Sequence, residues 1–133
     1  MPVLLALGSA VAIAFLIRAR LFRVEVAGTS MEPTLLPGDY LLATARGAIR
    51  RGHLVVVDRP DQRGFELVKR VAGIPGDVID GGVLDPGQYW VLGELSARST
   101  DSRTFGAVAR TAIKGIARLR YWPPSRVKWL GPQ

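Results

Sequence analysis

Two patterns of apolar positions divide the chain. Residues 2–17 carry no charged side chain and are rich in Leu, Ala, Val and Ile; Arg18, Arg20 and Arg23 follow at once. A bilayer core takes about 20 apolar residues as helix, so this run is short for a span. Helix continuing through Leu21 and Phe22 would lengthen it, with the arginines snorkelling to the interface. A cleavable secretory signal carries its positive charge ahead of the apolar run, the reverse of the order here. Residues 1–21 therefore read as a retained N-terminal transmembrane helix, with a cleaved signal or a buried helix as the alternatives.

Beyond the arginines the pattern changes to period-two alternation in short β-branched runs. It predicts strands over 22–27, 40–45, 54–59, 65–72, 89–92 and 113–121. Pro37-Gly38-Asp39, Arg51-Gly52, Pro75-Gly76-Asp77, Gly81-Gly82 and Pro86-Gly87 lie between them and carry turn chemistry. Neither an internal repeat nor a long low-complexity linker interrupts the chain. The expected architecture is mainly β: one antiparallel domain over 22–133, with curled or split sheets, behind one membrane segment.

Composition narrows the chemistry. The 133 residues contain no cysteine, which removes disulfides, thiolate metal sites and a cysteine nucleophile together. One histidine, His53, cannot build a multi-histidine metal site. The net charge of +7 suits nucleic acid or an anionic membrane surface, and the apolar N-terminal run favours the membrane. Near the other end, Arg118, Arg120, Tyr121, Trp122, Arg126, Lys128 and Trp129 combine aromatic and basic residues. That mixture fits a bilayer interface, and equally a basic strand edge with aromatic packing.

A hydroxyl becomes a nucleophile when a neighbour removes its proton. A Ser-His-Asp arrangement would need His53, which follows an Arg-Gly turn and reads as a solvated surface residue. The other solution pairs serine with lysine. Lysine acts as a base only when neutral, and burial among apolar groups lowers its pKa. The chain has three lysines. Strand alternation groups Phe65, Leu67, Lys69 and Val71 on one face and sends Glu66 and Arg70 to the other. Lys69 thus falls on an apolar face, unless it snorkels from a strand edge; Lys114 and Lys128 have no such setting. Among the serines, Ser30 lies in the sharp loop Gly28-Thr29-Ser30-Met31-Glu32-Pro33-Thr34-Leu35. Such a loop can present a hydroxyl beside backbone N–H groups, though composition alone equally describes an ordinary Ser/Thr turn. Ser125-Arg126-Val127-Lys128 has the S-x-x-K form of penicillin-recognising enzymes but lacks the rest of that set.

Four segments, in order, resemble the type I signal peptidase family: Ser30 to Leu35 with Gly38-Asp39, Arg51 to Val57, Lys69 to Asp77, and Gly93 through Ser99-Thr100-Asp101-Ser102-Arg103 to Gly106. The likeness runs from about residue 22 to Pro123. It implies a serine endopeptidase with a Ser-Lys dyad and no metal or cofactor. The implied partners are exported precursor proteins, cut after small residues, and the lipid bilayer, without nucleic acid. It also implies a single-pass cell-membrane protein whose catalytic domain faces the extracytoplasmic side. By the resemblance Ser30 is the nucleophile and Lys69 its general base. Ser99 orients the amine, Asp101 and Arg103 form an ion pair holding that loop, Met31 packs beside the dyad, and the Ser30 N–H donates to the oxyanion.

The chain departs from the family pattern in three places. Gly28 stands where some relatives carry a Ser or Thr donor to the oxyanion. Gly93-Glu94-Leu95-Ser96 replaces Gly-Asp-Asn-Arg, and His53 replaces an aspartate. Three arginines behind the apolar run would also keep the β domain in the cytoplasm under the positive-inside rule, against the family's topology. Two other classes compete: a self-cleaving repressor of the DNA-damage response, which shares the dyad but normally carries a helix-turn-helix domain in place of the apolar run, and a non-catalytic membrane-surface binding module.

Overall fold

The computed structural model describes residues 7–14, 20–62, 64 and 66–132. Among the described residues are ten strands: β1 (Leu21–Glu25), β2 (Tyr40–Thr44), β3 (Leu54–Asp58), β4 (Glu66–Gly73), β5 (Val78–Ile79), β6 (Gly82–Val83), β7 (Gln88–Leu92), β8 (Val108–Ala109), β9 (Ile113–Trp122) and β10 (Lys128–Trp129). The six sequence-predicted strands are all present, each end within two residues of its expected place. The other four have two residues each, too few to show an alternation.

Eight strands make one antiparallel sheet in the order β1-β2-β9-β3-β4-β7-β8, with β10 also on β9; β5 and β6 form a separate ribbon. The ribbon turns at Asp80 and Gly81, both with positive φ, so the turn lies one residue before the expected Gly81-Gly82. Register shifts interrupt β2 against β9, β3 against β9 and β4 against β7. Each shift adds local bend and twist, which curls the sheet. The curled antiparallel sheet is the β architecture expected from the pattern.

β3 explains why the sheet has two cores. Leu54 to Val57 are all buried, so the strand is apolar on both faces. Leu54 joins a cluster with Val26, Met31, Leu35, Leu41, Ala117 and Leu130. Val55 and Val57 join Val71, Val91, Val108, Ile113 and Ile116 instead, as period-two geometry requires. The first cluster contains three residues of the loop between β1 and β2, which packs that loop onto the sheet.

Residues 7–14 are helical, with Leu7, Val11 and Ile13 exposed. The expected transmembrane helix over 1–21 falls partly on 1–6 and 15–19, which lie outside the described residues. Among the described residues, no helix is long and apolar enough to cross a membrane.

Candidate active site

The loop that carries Ser30 is closed at its neck and nailed at its floor. Val26 N–H donates to Asp39 O at 2.8 Å, and Gly38 N–H donates to Val26 O at 2.9 Å. Met31 and Leu35 are 2% and 0% exposed, sunk into the first core cluster. Gly28 has φ +80 with nothing within 4 Å of the position a Cβ would take. Its backbone therefore suits glycine for conformation rather than for space. Between an exposed Gly28 and a buried Met31, Ser30 is half-buried.

β4 brings the lysine to it. Lys69 pairs with Val55 of β3 and is 1% exposed, as the alternation of Leu67, Lys69 and Val71 predicts; Phe65 lies outside the described residues. Lys69 Nζ is 2.7 Å from Ser30 Oγ and 3.1 Å from Ser99 Oγ. Burial lowers its pKa; Asp101 opposes the shift and Arg103 adds to it. A charged ammonium loses its hydration here without gaining a contact ion pair, which favours the neutral amine.

The third shell of contacts fixes where the protons sit. Asp101 is fully buried and receives Gly93 N–H at 2.9 Å, Ser99 Oγ–H at 2.6 Å and Arg103 Nη2–H at 2.6 Å. Burial pushes its pKa up, but these donors outweigh burial and hold the carboxyl ionised. An ionised carboxylate only accepts, so the single Ser99 proton is committed to Asp101. Ser99 Oγ must then accept from Lys69 N–H. A neutral Lys69 so anchored has its lone pair left for the Ser30 hydroxyl.

Gly93 and its two successors hold this arrangement together, in roles that the residue pattern did not reveal. A Cβ at Gly93 would lie 2.1 Å from Ser99 Oγ and 3.0 Å from Ser30 O, so only glycine allows the two serines to converge. Leu95 N–H donates to Ser30 O at 2.8 Å. Glu94 accepts from Thr34 Oγ1 at 2.8 Å and from Arg70 Nε at 2.6 Å. The departure at 94–96 therefore retains contacts to the nucleophile loop and to the strand of Lys69. Gly93 was legible only as the opening of the last motif.

His53 corrects its sequence reading. It is 5% exposed rather than solvated, and its Nδ1 accepts Arg50 N–H at 3.0 Å. Burial first, then Arg118 and Arg50, lowers its pKa. The imidazole is tied to its own turn, and the group beside Ser30 Oγ is Lys69 Nζ. Lys114 is exposed and pairs with Glu66 at 2.6 Å. Ser125 and Lys128 are exposed at the C-terminal edge.

Beside Ser30 opens a cleft of about 200 Å³, lined among others by Val24, Val26, Met31 and Val68. The loop serine, the buried lysine and the second serine, in that order along the chain, converge within hydrogen-bond distance on the curled β-sheet. The family model described as signal peptidase, peptidase S26, matches residues 1–82 and 79–122. This chain belongs to the S26 signal peptidase family. Mitochondrial ATP-independent inner membrane protease subunit 1a of Arabidopsis thaliana is 39% identical over 75% of this chain and 70% of its own length. Signal peptidase I of Bacillus licheniformis is 30% identical, covering 90% and 87%. Mitochondrial inner membrane protease subunit 2 of Saccharomyces cerevisiae is 33% identical, covering 77% and 68%.

Proposed function

We propose that this chain is a membrane-bound serine endopeptidase that removes signal peptides from exported precursor proteins. One observation carries the reading: the amine of a lysine only 1% exposed lies 2.7 Å from the hydroxyl of a loop serine. Ser30 Oγ attacks the scissile carbonyl carbon while neutral Lys69 takes its proton. The Ser30 backbone N–H donates to the oxyanion, a role that falls more heavily on the backbone because Gly28 has no side-chain donor. Collapse breaks the C–N bond, and Lys69 delivers the proton to the leaving amine. Lys69 then deprotonates the water that releases the acyl group from Ser30.

Ser99 positions the amine, and Asp101 with Arg103 positions Ser99. The cleft beside Ser30, lined in part by Val24, Val26, Met31 and Val68, receives the small residue that precedes the cut bond. Residues 1–21 serve as the anchor, and residues 22–133 face the extracytoplasmic side. A reporter fused to the C-terminus tests that topology; cytoplasmic placement overturns the export reading.

Ser30→Ala and Lys69→Ala should each lower precursor cleavage by roughly 10⁴-fold or more, as loss of a member does in other catalytic units, while leaving the circular dichroism of the sheet unchanged. Normal cleavage by both variants sinks the dyad. In the unaltered protein activity should rise with pH as Lys69 loses its proton, and a flat profile from about pH 6 to 10 counts against a lysine base.

A further inference from the structure

The C-terminal segment that carries β10 separates two clefts of opposite character. On one side Leu21, Leu42, Leu119 and Trp129 line a groove of about 750 Å³. On the other, Arg70, Arg120, Arg126 and Lys128 surround a cleft of about 190 Å³. Leu130 and Gly131 border both, so one backbone segment is the wall between an apolar trough and a cationic hole.

The cationic side carries more positive charge than the protein neutralises. Glu94 binds Arg70, and Asp39 binds Arg126 at 2.6 Å with Arg120 at 3.8 Å. Four cations thus meet two carboxylates. Arg120 is the tell-tale group, since its side chain is 9% exposed. Two of its donors go to carbonyls, Arg126 O at 2.6 Å and Thr34 O at 2.7 Å. Burial and then the Arg126 charge push its pKa down, with Asp39 opposing them. The apolar side is equally unsatisfied. Trp129 is 76% exposed.

A phosphate alone would use only the cationic cleft, and a hydrocarbon alone only the groove. From their juxtaposition across Leu130-Gly131 we infer an anionic phospholipid site, with the headgroup phosphate among Arg120, Arg126 and Lys128 and an acyl chain along Leu119 and Trp129. Arg46 and Arg118 also line the groove, which favours an anionic over a zwitterionic lipid. Leu21, the first residue of β1, lies in the same groove, so the site adjoins the place where the chain leaves its apolar N-terminal run. The inference does not depend on the dyad, because it concerns a surface that binds lipid whether or not Ser30 reacts.

The test uses the full chain in phosphatidylcholine nanodiscs containing a minor fraction of phosphatidylglycerol. In one preparation the phosphatidylglycerol carries brominated acyl chains; in the other an equal fraction of phosphatidylcholine does. Bromine quenches tryptophan on contact, and Trp129→Phe shows how much of the signal belongs to Trp129. Quenching by the brominated anionic lipid should exceed that by the brominated zwitterionic lipid. Lys128→Gln should weaken the preference about fivefold, the worth of one cation at an anionic membrane surface, and Lys128→Glu should weaken it further. Inorganic phosphate should not displace the lipid, since it leaves the groove empty. Equal quenching by the two lipids, no response to either Lys128 variant, or full displacement by phosphate each overturns the site. A cleavage-dead Ser30→Ala protein should bind lipid unchanged, which separates this result from the fate of the dyad.

Discussion

Two buried groups of charge press on the loop that carries Ser30, and they are built in opposite ways. At Ser30 itself stands Lys69, buried, with two hydroxyls as hydrogen-bond partners. A few residues further on, Asp39 is 2% exposed and surrounded by donors: Leu36 N–H at 2.9 Å, Arg126 at 2.6 Å and Arg120 at 3.8 Å. The second group offsets the burial of its carboxylate with these partners, so that anion is stable and inert. The first leaves the cost standing, so the neutral amine is favoured beside the Ser30 hydroxyl. The neutral amine follows from what the protein withholds from a buried cation, and the fixed charge from what it supplies to a buried anion.

The comparison breaks most visibly at Asp39. Asp39→Ala leaves Arg120 buried and removes the partner of Arg126. Stripping one side of a buried pair typically costs about 3–5 kcal/mol. Thermal or denaturant unfolding should show that loss, and residual activity below the melting point should remain if the cluster only supports the loop. A change under about 1 kcal/mol, the value of an exposed pair, would mean that Asp39 and the arginines are not a compensated unit.

Gly93→Ala sharpens the other half. The added carbon would come within 2.6 Å of Ser99 Cβ as well as 2.1 Å of its Oγ, so Ser99 must move away from Lys69. Misplacing a positioning group by about an ångström can cost on the order of 10²-fold in rate. The loss should fall on kcat more than on KM, because the cleft beside Val24 and Val68 is untouched. An unchanged kcat would show that Ser99 does not hold the amine.

The two groups were unequally legible. Lys69 stood out because Leu67 and Val71 flank it at strand spacing, and a single alternation is enough to place a side chain on a face. Ser30 stood out only through the resemblance of its loop, since a Ser/Thr turn with glycine and proline is common. Asp39 was visible as part of a motif but not as an anchor, because its partner Arg126 is 87 residues away in sequence and no local pattern joins them. Leu95 contributes a backbone N–H, which any residue could supply, so its identity carries no signal. His53 misled because Arg51-Gly52 reads as an exposed turn, and Arg51 is indeed exposed, while Gly52 is buried and His53 turns inward to accept Arg50 N–H. The strands of two residues escape because periodicity needs more length than they have.

The smallest effect distinguishes a withheld partner from mere burial. Lys69→Met keeps the shape and removes the charge. With its pKa lowered in the folded protein, Lys69 binds its proton more weakly folded than unfolded. Between the folded value and the unfolded one the unfolded chain holds the extra proton, so stability of the unaltered protein rises with pH there. The burial penalty is complete below the folded pKa and gone above the unfolded value of 10.5. Lys69→Met should therefore be inactive yet more stable at neutral pH, by on the order of 1 kcal/mol for each unit of depression. That advantage should shrink steadily as pH approaches the unfolded value, when followed by thermal unfolding of the full chain in detergent. An advantage independent of pH would assign it to packing alone. A loss of stability would mean that Ser30 and Ser99 solvate the ammonium well enough to compensate it, which would erase the contrast with Asp39.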